Sequence, residues 1–337
     1  MKDKTGELLT KNVAGVNRIL PHKHKYAWDL FLSSCANNWM PTEISMQNDI
    51  KQWKTGEITD DEKLLVKRCL GFFAGSESLV GNNLLLSGFR FVTDAECRQY
   101  ILRQAFEESL HNLTVVYVCD SLDLDIDEVF AAYQTIPSIK AKDDFLMQIT
   151  MDISAPDFDA FSEEGKQSIL RNFLIYWIIC EGTFFFSGFA MLLALGRQNK
   201  LQGISDQIKY TLRDESSHIA FGVYLINTII EQNPSIWTKE IQEEFISHIK
   251  KAVELEIDYA RDVLPTGILG LNADMFIDYM HYIGNRRLES IGLNYRFPSD
   301  KNPFPWLGEV VDVQAMGNFF ERRVREYQQG GSLEDDF

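Results

Sequence analysis

Two glutamate–histidine pairs have the same spacing in a sequence with only six histidines. Glu108 precedes His111 by three residues, and Glu215 precedes His218 by three. On an α-helix three residues advance by about 300°, so the side chains of a pair point about 60° apart, one turn along the axis. Such a carboxylate and imidazole can bind one metal ion, and these ligand types suit iron or manganese. One pair alone would usually be a solvated surface pair, but two pairs on two long apolar helices indicate a metal centre.

Two further glutamates stand alone in apolar surroundings. Glu77 is the only charged residue in LGFFAGSESLVGNNLLL, and Glu181 is the only one in the apolar middle of segment 163–197. A buried carboxylate without a partner is costly, so both are expected to bind something positive. Each precedes a glutamate–histidine pair by a similar gap, 31 residues to Glu108 and 34 to Glu215. Dimetal bundles of the ferritin-like class use this ligand set: two Glu-x-x-His pairs and one further glutamate from each of two other helices.

Long helical patterns must position these residues. Strand-like alternation is scarce, so we expect an all-α protein, a ferritin-like helical bundle with a dimetal-carboxylate site in its core. The glycines and acids of the C-terminal segment indicate a flexible tail, which gives a helical dimetal domain over 1–324 and a tail over 325–337. The predicted helices span 25–37, 59–90, 94–121, 163–197, 204–232, 237–264 and 273–291.

Composition limits the classes of partner and compartment. A net charge of -16 and a pI of about 4.8 argue against a nucleic-acid partner. The five cysteines form no Cys-x-x-Cys pair, which indicates a reducing compartment, and we expect a cytoplasmic protein. Residues 174–195 are apolar enough to span a bilayer, but Glu181 would be costly there. We therefore predict a helix buried in a large bundle and no membrane partner.

Three motifs resemble the small subunit of class I ribonucleotide reductases. They are Glu-Glu-Ser-Leu-His at 107–111, Arg-Asp-Glu-Ser-Ser-His at 213–218 and Cys-Glu-Gly-Thr-Phe-Phe at 180–185. The resemblance runs from about Trp39 to the tail. It implies that the radical-generating subunit assembles a high-valent dimetal oxidant and delivers a radical to a large subunit, which reduces ribonucleotides to deoxyribonucleotides. It also implies a homodimer. The metal ligands implied are Glu77, Glu108 and His111 for one ion and Glu181, Glu215 and His218 for the other, with Glu108 and Glu215 bridging.

Two positions depart from the common pattern of that family. Val115 stands four residues after His111, about 40° around the helix, where common members carry a radical-bearing tyrosine. Tyr117 lies about 200° from Val115 and cannot simply replace that tyrosine. Glu77 stands where the common pattern has aspartate. Both changes are similar to the tyrosine-free class Ic group, which implies that the metals themselves store the oxidising equivalent. A Mn/Fe pair is favoured, and the ligand types leave Mn/Mn and Fe/Fe open.

The same resemblance implies a route for the radical. Trp39 and Asp214 match residues that link the metal site to the subunit surface, in the order Trp39, Asp214, His111, metal. A ligand histidine commonly donates its second N–H to a carboxylate, which is the physical reason for Asp214. Tyr327 resembles the tail tyrosine that passes the radical across the interface, and the tail is similar to the peptide that docks on the large subunit.

Two other functions remain open on the sequence alone. One is an R2-like ligand-binding dimetal oxidase without a large-subunit partner, for which Val80 and Tyr176 occupy positions comparable to a crosslinked pair. The other is a ferritin-like metal-storage protein. Trp39 and a tail carrying Tyr327 have no purpose in either, and nucleotide reduction with an added large subunit would separate all three.

Overall fold

The computed structural model describes residues 6–9, 16–150, 153 and 157–308, without the side chains of 149 and 150. This part of the chain is helical and contains no strand; its only β-pairing is an isolated bridge between Ile268 and Leu271. The prediction of an all-α fold is confirmed. One compact unit extends to Pro303 and a second begins at Phe304, of which residues 305–308 form a helical turn. The predicted boundary between 324 and 325 lies outside the described residues.

Four long helical elements carry the predicted metal ligands, and side chains cap the starts of three of them. Thr59 and Glu62 form a reciprocal capping box, and the Asp94 carboxylate accepts hydrogen bonds from the amides of Glu96 and Cys97. The fourth element is capped from outside, because Asp49 of another helix accepts from the first amides of that element. These elements are α3 (Asp60–Asn83), α4 (Ala95–Leu122), the π-helical segment Leu174–Phe184 and α10 (Gln202–Gln232).

The remaining helices surround these four. The seven predicted helices are present to within two residues at each end, but four helices in the part between α1 and α8 were not predicted. The bounds are α1 (Lys25–Ala36), α2 (Gln47–Thr55), α5 (Ile126–Phe130), α6 (Ala132–Thr135), α7 (Pro137–Thr150), α8 (Glu163–Phe173), α9 (Phe185–Arg197), α11 (Lys239–Val263) and α12 (Met275–Ser290), with 3₁₀ turns at Pro41–Glu43 and Pro234–Ile236.

The most apolar helix lies in the core. Glu163–Arg197 is one continuous helical rod long and apolar enough to cross a membrane, but 94% of its most apolar window is buried within the bundle. Its middle is π-helical, as is the segment Leu84–Phe89 that continues α3. π-helical segments are rare and often occur at functional sites, and Glu181 lies inside the longer one.

Candidate metal centre

Six buried side chains from four helical elements converge on one point in the core. Their ligand atoms form two groups, and the atoms of each group lie within 4.8 Å of one another. Glu108 and Glu215 belong to both groups, which is the arrangement expected of carboxylates that bridge two ions. The first group adds Glu77 and His111, and the second adds Glu181 and His218.

Most polar atoms of this cluster have no hydrogen-bond partner among the described residues. Both oxygens of Glu108 and of Glu215 are buried without a hydrogen-bond partner, as is Nδ1 of His111 and of His218. Leaving so many buried polar atoms unpaired would be costly. Four carboxylates together carry a charge of about −4, which two divalent cations neutralise. The donor set therefore fits a pair of manganese or iron ions.

Without a cation the cluster retains protons. Burial raises the pKa of Glu77 and that of Glu181 well above the usual value; His111 opposes the rise at Glu77, whereas Glu215 adds to it at Glu181. Burial would lower the pKa of His111 and of His218, but the surrounding carboxylates raise both well above the usual range. Metal ions bind the deprotonated groups, so metal binding must release protons.

Each histidine of the cluster is oriented by an acid from the helix that carries the other histidine. His111 directs Nδ1 at the cluster, 3.1 Å from Glu215, and Nε2 at Asp214 Oδ2, 3.5 Å away. The same Asp214 oxygen accepts a 2.7 Å hydrogen bond from Trp39 Nε1. The structure thus places Trp39, Asp214 and His111 in one continuous chain. Burial alone would raise the pKa of Asp214. The hydrogen bond from His111 and the charge of Arg213 outweigh burial and lower that pKa, which keeps Asp214 anionic.

The second histidine has a matching partner that we did not predict. His218 Nε2 lies 2.9 Å from Glu107 Oε2, while Arg103 binds the other oxygen of Glu107. Glu107 therefore contacts His218 as Asp214 contacts His111, and each of these acids directly precedes a glutamate that belongs to both groups. The repeated acid-Glu-x-x-His pattern was the sequence signal that could have revealed Glu107.

Gln104 is a second residue that the sequence did not single out. Its amide Nε2 donates to Glu181 Oε1 at 2.9 Å, and its carbonyl accepts from Trp177 Nε1 at 3.1 Å. Gln104 is fully buried one turn before the Glu108 pair on α4. It orients the Glu181 carboxylate, and no spacing rule could have shown this contact between helices.

Val115 faces the cluster, as its position on the helix predicted. It lines a small cavity of about 10 Å³ together with Glu77 and His111. Tyr117 points elsewhere and donates a hydrogen bond from its hydroxyl to the Ile44 carbonyl oxygen. No tyrosine lines this cavity among the described residues.

Of the predicted relay residues Trp39 and Tyr327, only Trp39 belongs to the described part of the chain. Trp39 is buried, and its ring stacks on Tyr210, a residue that the sequence did not single out, at a centroid distance of 5.2 Å. Tyr210 is partly exposed and lies under the Arg213 guanidinium. Tyr327 lies outside the described residues.

The sequence is similar to that of ribonucleotide reductase small subunits. The family model "Ribonucleotide reductase, small chain" matches residues 16–303. The chain is 52% identical over 326 residues to the ribonucleoside-diphosphate reductase subunit beta of Chlamydia pneumoniae, covering 97% of this chain and 94% of that protein.

Solved structures share the fold. The ribonucleotide reductase R2 subunit from Clostridium botulinum superposes with a TM-score of 0.82 at 28% identity, covering 92% of this chain and 96% of that one. The dimanganese(II)-NrdF of Streptococcus sanguinis superposes with a TM-score of 0.74 at 20% identity, covering 88% and 99%, which shows likeness of fold alone.

Proposed function

This chain belongs to the ribonucleotide reductase small-chain family, and we propose that its buried cluster holds one manganese and one iron ion. It is the small subunit of a class I ribonucleoside-diphosphate reductase, an oxidoreductase that acts with a large subunit to make deoxyribonucleotides. The observation that carries the proposed ligand set is the sharing of Glu108 and Glu215 between both ligand groups. When bound, the metal pair supplies the oxidising equivalent for radical chemistry in the large subunit.

The proposed ligand set has a direct test. We expect two metal ions per chain after aerobic assembly, and nucleotide reduction only when a large subunit is added. Metal uptake far above two ions per chain would instead support storage. Oxidation of a bound small molecule without any large subunit would support the ligand-binding oxidase.

We propose that Trp39, Asp214 and His111 carry the radical between the metals and the subunit surface. The buried Trp39 indole can lose an electron while its Nε1 proton is held by Asp214 Oδ2, 2.7 Å away. The Arg213 guanidinium binds the other Asp214 oxygen at 3.0–3.1 Å and fixes the carboxylate in place. These contacts hold the proton close to the tryptophan during electron transfer.

Replacing Trp39 by phenylalanine should abolish nucleotide reduction and leave metal binding intact. Phenylalanine is harder to oxidise and cannot donate to Asp214. Turnover and metal content would be measured side by side, with Trp237→Phe as the control. Trp237 stacks on Phe245 away from the cluster, so its variant should behave like wild type. Retained turnover in Trp39→Phe would exclude the relay.

We propose that the tail docks on the large subunit and that Tyr327 passes the radical on. Removing 325–337 should leave two metals bound but end turnover, because the docking segment is lost. Tyr327→Phe is the matched variant: it should still bind the large subunit but reduce no nucleotide. A synthetic peptide of 325–337 should inhibit the wild-type complex by competition. Unchanged turnover of the truncated protein would contradict the docking role.

The small subunits of this family act as dimers, and we propose a face for the second copy of this chain. Leu102, Phe106, Leu113 and Val116 are exposed large hydrophobic residues on α4. With the exposed Ser109 they follow spacings of four and three residues, so they form one stripe along the helix. Leu85 and Leu86, in the π-helical segment that continues α3, are exposed as well. Exposed apolar stripes of this kind are typical of subunit contacts.

A charge in this stripe should therefore separate the subunits. Phe106→Glu is expected to shift the protein from dimer to monomer at micromolar concentration, measured by sedimentation or light scattering. Leu269→Glu is the control, because Leu269 is 76% exposed on a loop outside the stripe. If Phe106→Glu stays dimeric, the subunit interface must lie on another face.

We also assign the protein to the cytoplasm, in agreement with five unpaired cysteines.

A further inference from the structure

The helix that carries Glu181 has a changed hydrogen-bond register. In the segment Leu174–Phe184 the Phe185 amide donates to the Cys180 carbonyl, five residues back rather than four. The Thr183 hydroxyl likewise donates to the Ile178 carbonyl oxygen at 2.8 Å. A π-helical stretch of 11 residues is long for this rare conformation.

The register decides where Glu181 points. Each residue of an α-helix turns by about 100°, so removing the extra residue of a π-helical turn would rotate Glu181 by about that angle relative to α9. Where five-residue bonding returns to four-residue bonding, one carbonyl group is left without a backbone donor. Something must therefore satisfy carbonyl groups near the end of the segment.

A buried arginine donates to a carbonyl group near the end of the segment. Arg287 of α12 is 8% exposed, and its Nε donates a 2.5 Å hydrogen bond to the Gly182 oxygen. Its guanidinium also lies 4.9 Å from the Phe186 ring. A Cβ atom at Gly182 would lie 3.0 Å from Arg287 Nε and 2.9 Å from the Trp177 oxygen. Glycine thus permits the close approach of the arginine beside Glu181.

A buried lysine anchors the other side of the junction. Lys142 of α7 has no exposed surface, forms an ion pair with Glu256 and lies with Nζ 3.4 Å from the Phe184 oxygen. Its ammonium group is 3.3 Å from the Phe72 ring centroid. Glu256 also accepts a hydrogen bond from Ser187 in the first turn of α9. Two cationic groups from other helices therefore bind carbonyl groups in the last turn of the π-helical segment, and Glu256 links Lys142 to the first turn of α9.

We propose that Arg287 and Lys142 are positioning residues that hold Leu174–Phe184 in the π-helical register and thereby place the Glu181 carboxylate at the second metal. The inference rests on the proposed role of Glu181 as a metal ligand. It assigns a function in metal binding to two residues that do not reach the cluster. Loss of either anchor should weaken the ion held by Glu181, Glu215 and His218 and spare the ion held with Glu77 and His111.

The test uses matched pairs of variants. Arg287→Met is compared with Arg286→Met, because Arg286 is exposed and contacts Tyr282. Lys142→Met would leave Glu256 buried and unpaired, so it is combined with Glu256→Gln and compared with Lys140→Met, whose native lysine pairs with Asp144 on the surface. Manganese(II) titrations followed by EPR give the affinity of each site. Outer-shell changes typically cost about 10–100-fold in metal affinity.

We expect a loss of that size at one site only, with faster amide hydrogen exchange at 182–187. A merely structural role would lower the unfolding midpoint and affect both sites alike. Folded Arg287→Met protein with both affinities unchanged would overturn the proposal. If Arg287→Met cannot be isolated, the combined Lys142→Met and Glu256→Gln variant, which releases the Phe184 carbonyl group, decides in the same way. Glu181→Ala separates the two hypotheses: two metals bound in that variant would refute the ligand assignment, whereas loss there but not in Arg287→Met would refute only the positioning role.

Discussion

Replacing Glu108 by alanine is expected to abolish the binding of two metal ions per chain and, with it, all nucleotide reduction. Glu108 belongs to both ligand groups, so its loss removes a ligand from each ion. His218→Ala should have a narrower effect, because His218 belongs to one group only. Metal content after aerobic assembly, by atomic spectroscopy, gives the result directly.

The stability of the apoprotein separates a lost ligand from a lost fold. In the apoprotein the Glu108 oxygens lie 3.1 Å from His218 Nδ1 and 3.4 Å from His111 Nδ1. Glutamine can still accept from one of these histidines and carries no buried charge. Glu108→Gln keeps the volume of the side chain and should unfold no earlier than wild-type apoprotein. Wild type should gain about 2.7 kcal/mol of stability when free metal exceeds its dissociation constant a hundredfold, and Glu108→Gln should gain far less.

An exposed acid on the same helix provides the control. Asp120→Ala removes a carboxylate from α4 at an exposed position and should bind two metals as wild type does. Full occupancy in Glu108→Ala, with a normal unfolding midpoint, would exclude Glu108 as a bridging ligand.

Helices could be predicted where their buried faces are apolar. The prediction failed where a buried face carries charged residues. Segment 163–197 has a long apolar stretch between Phe173 and Leu195 and was predicted with its bounds. The helix Pro137–Thr150 was missed because its buried face carries Lys142 and Asp143 beside Ile139 and Leu146. Two charged residues on that face interrupt the apolar period on which a helix prediction depends.

The candidate site shows a similar division. The six candidate ligands were identifiable because each is a polar residue with a fixed spacing or a lone charge in an apolar helix. Gln104 and Arg287 were not, since their importance comes from contacts with residues 77 and 105 positions away along the chain. The π-helical register around Glu181 was also invisible, because its sequence is simply apolar and fits an α-helix equally well.

The oxidising equivalent of the active protein should reside on the metals, with about one manganese and one iron per chain. Val115 lines the cavity beside Glu77 and His111, and valine cannot hold a stable radical. Tyr117 bonds to the Ile44 carbonyl instead of facing that cavity. The ligand set, with Glu77 as its first member, suits either metal, so the missing tyrosine is the argument for the mixed pair. Metal analysis and EPR of the active complex should show manganese and iron together and no tyrosyl doublet.

Val115→Tyr gives this prediction its sharpest test. A phenol would replace a valine at a cavity of only about 10 Å³, so neighbours such as Val118 must shift to admit it. We expect the variant to be no more active than wild type, because the relay through Asp214 and Trp39 starts at His111 and needs no tyrosine. Val118→Leu, which adds bulk to the same cavity without an oxidisable group, controls for the packing change. Wild-type protein assembled with iron alone should have little activity. Full activity from iron alone, together with a tyrosyl doublet, would show that the oxidant is a side chain after all, and equal activity from manganese alone would replace the mixed pair by Mn/Mn.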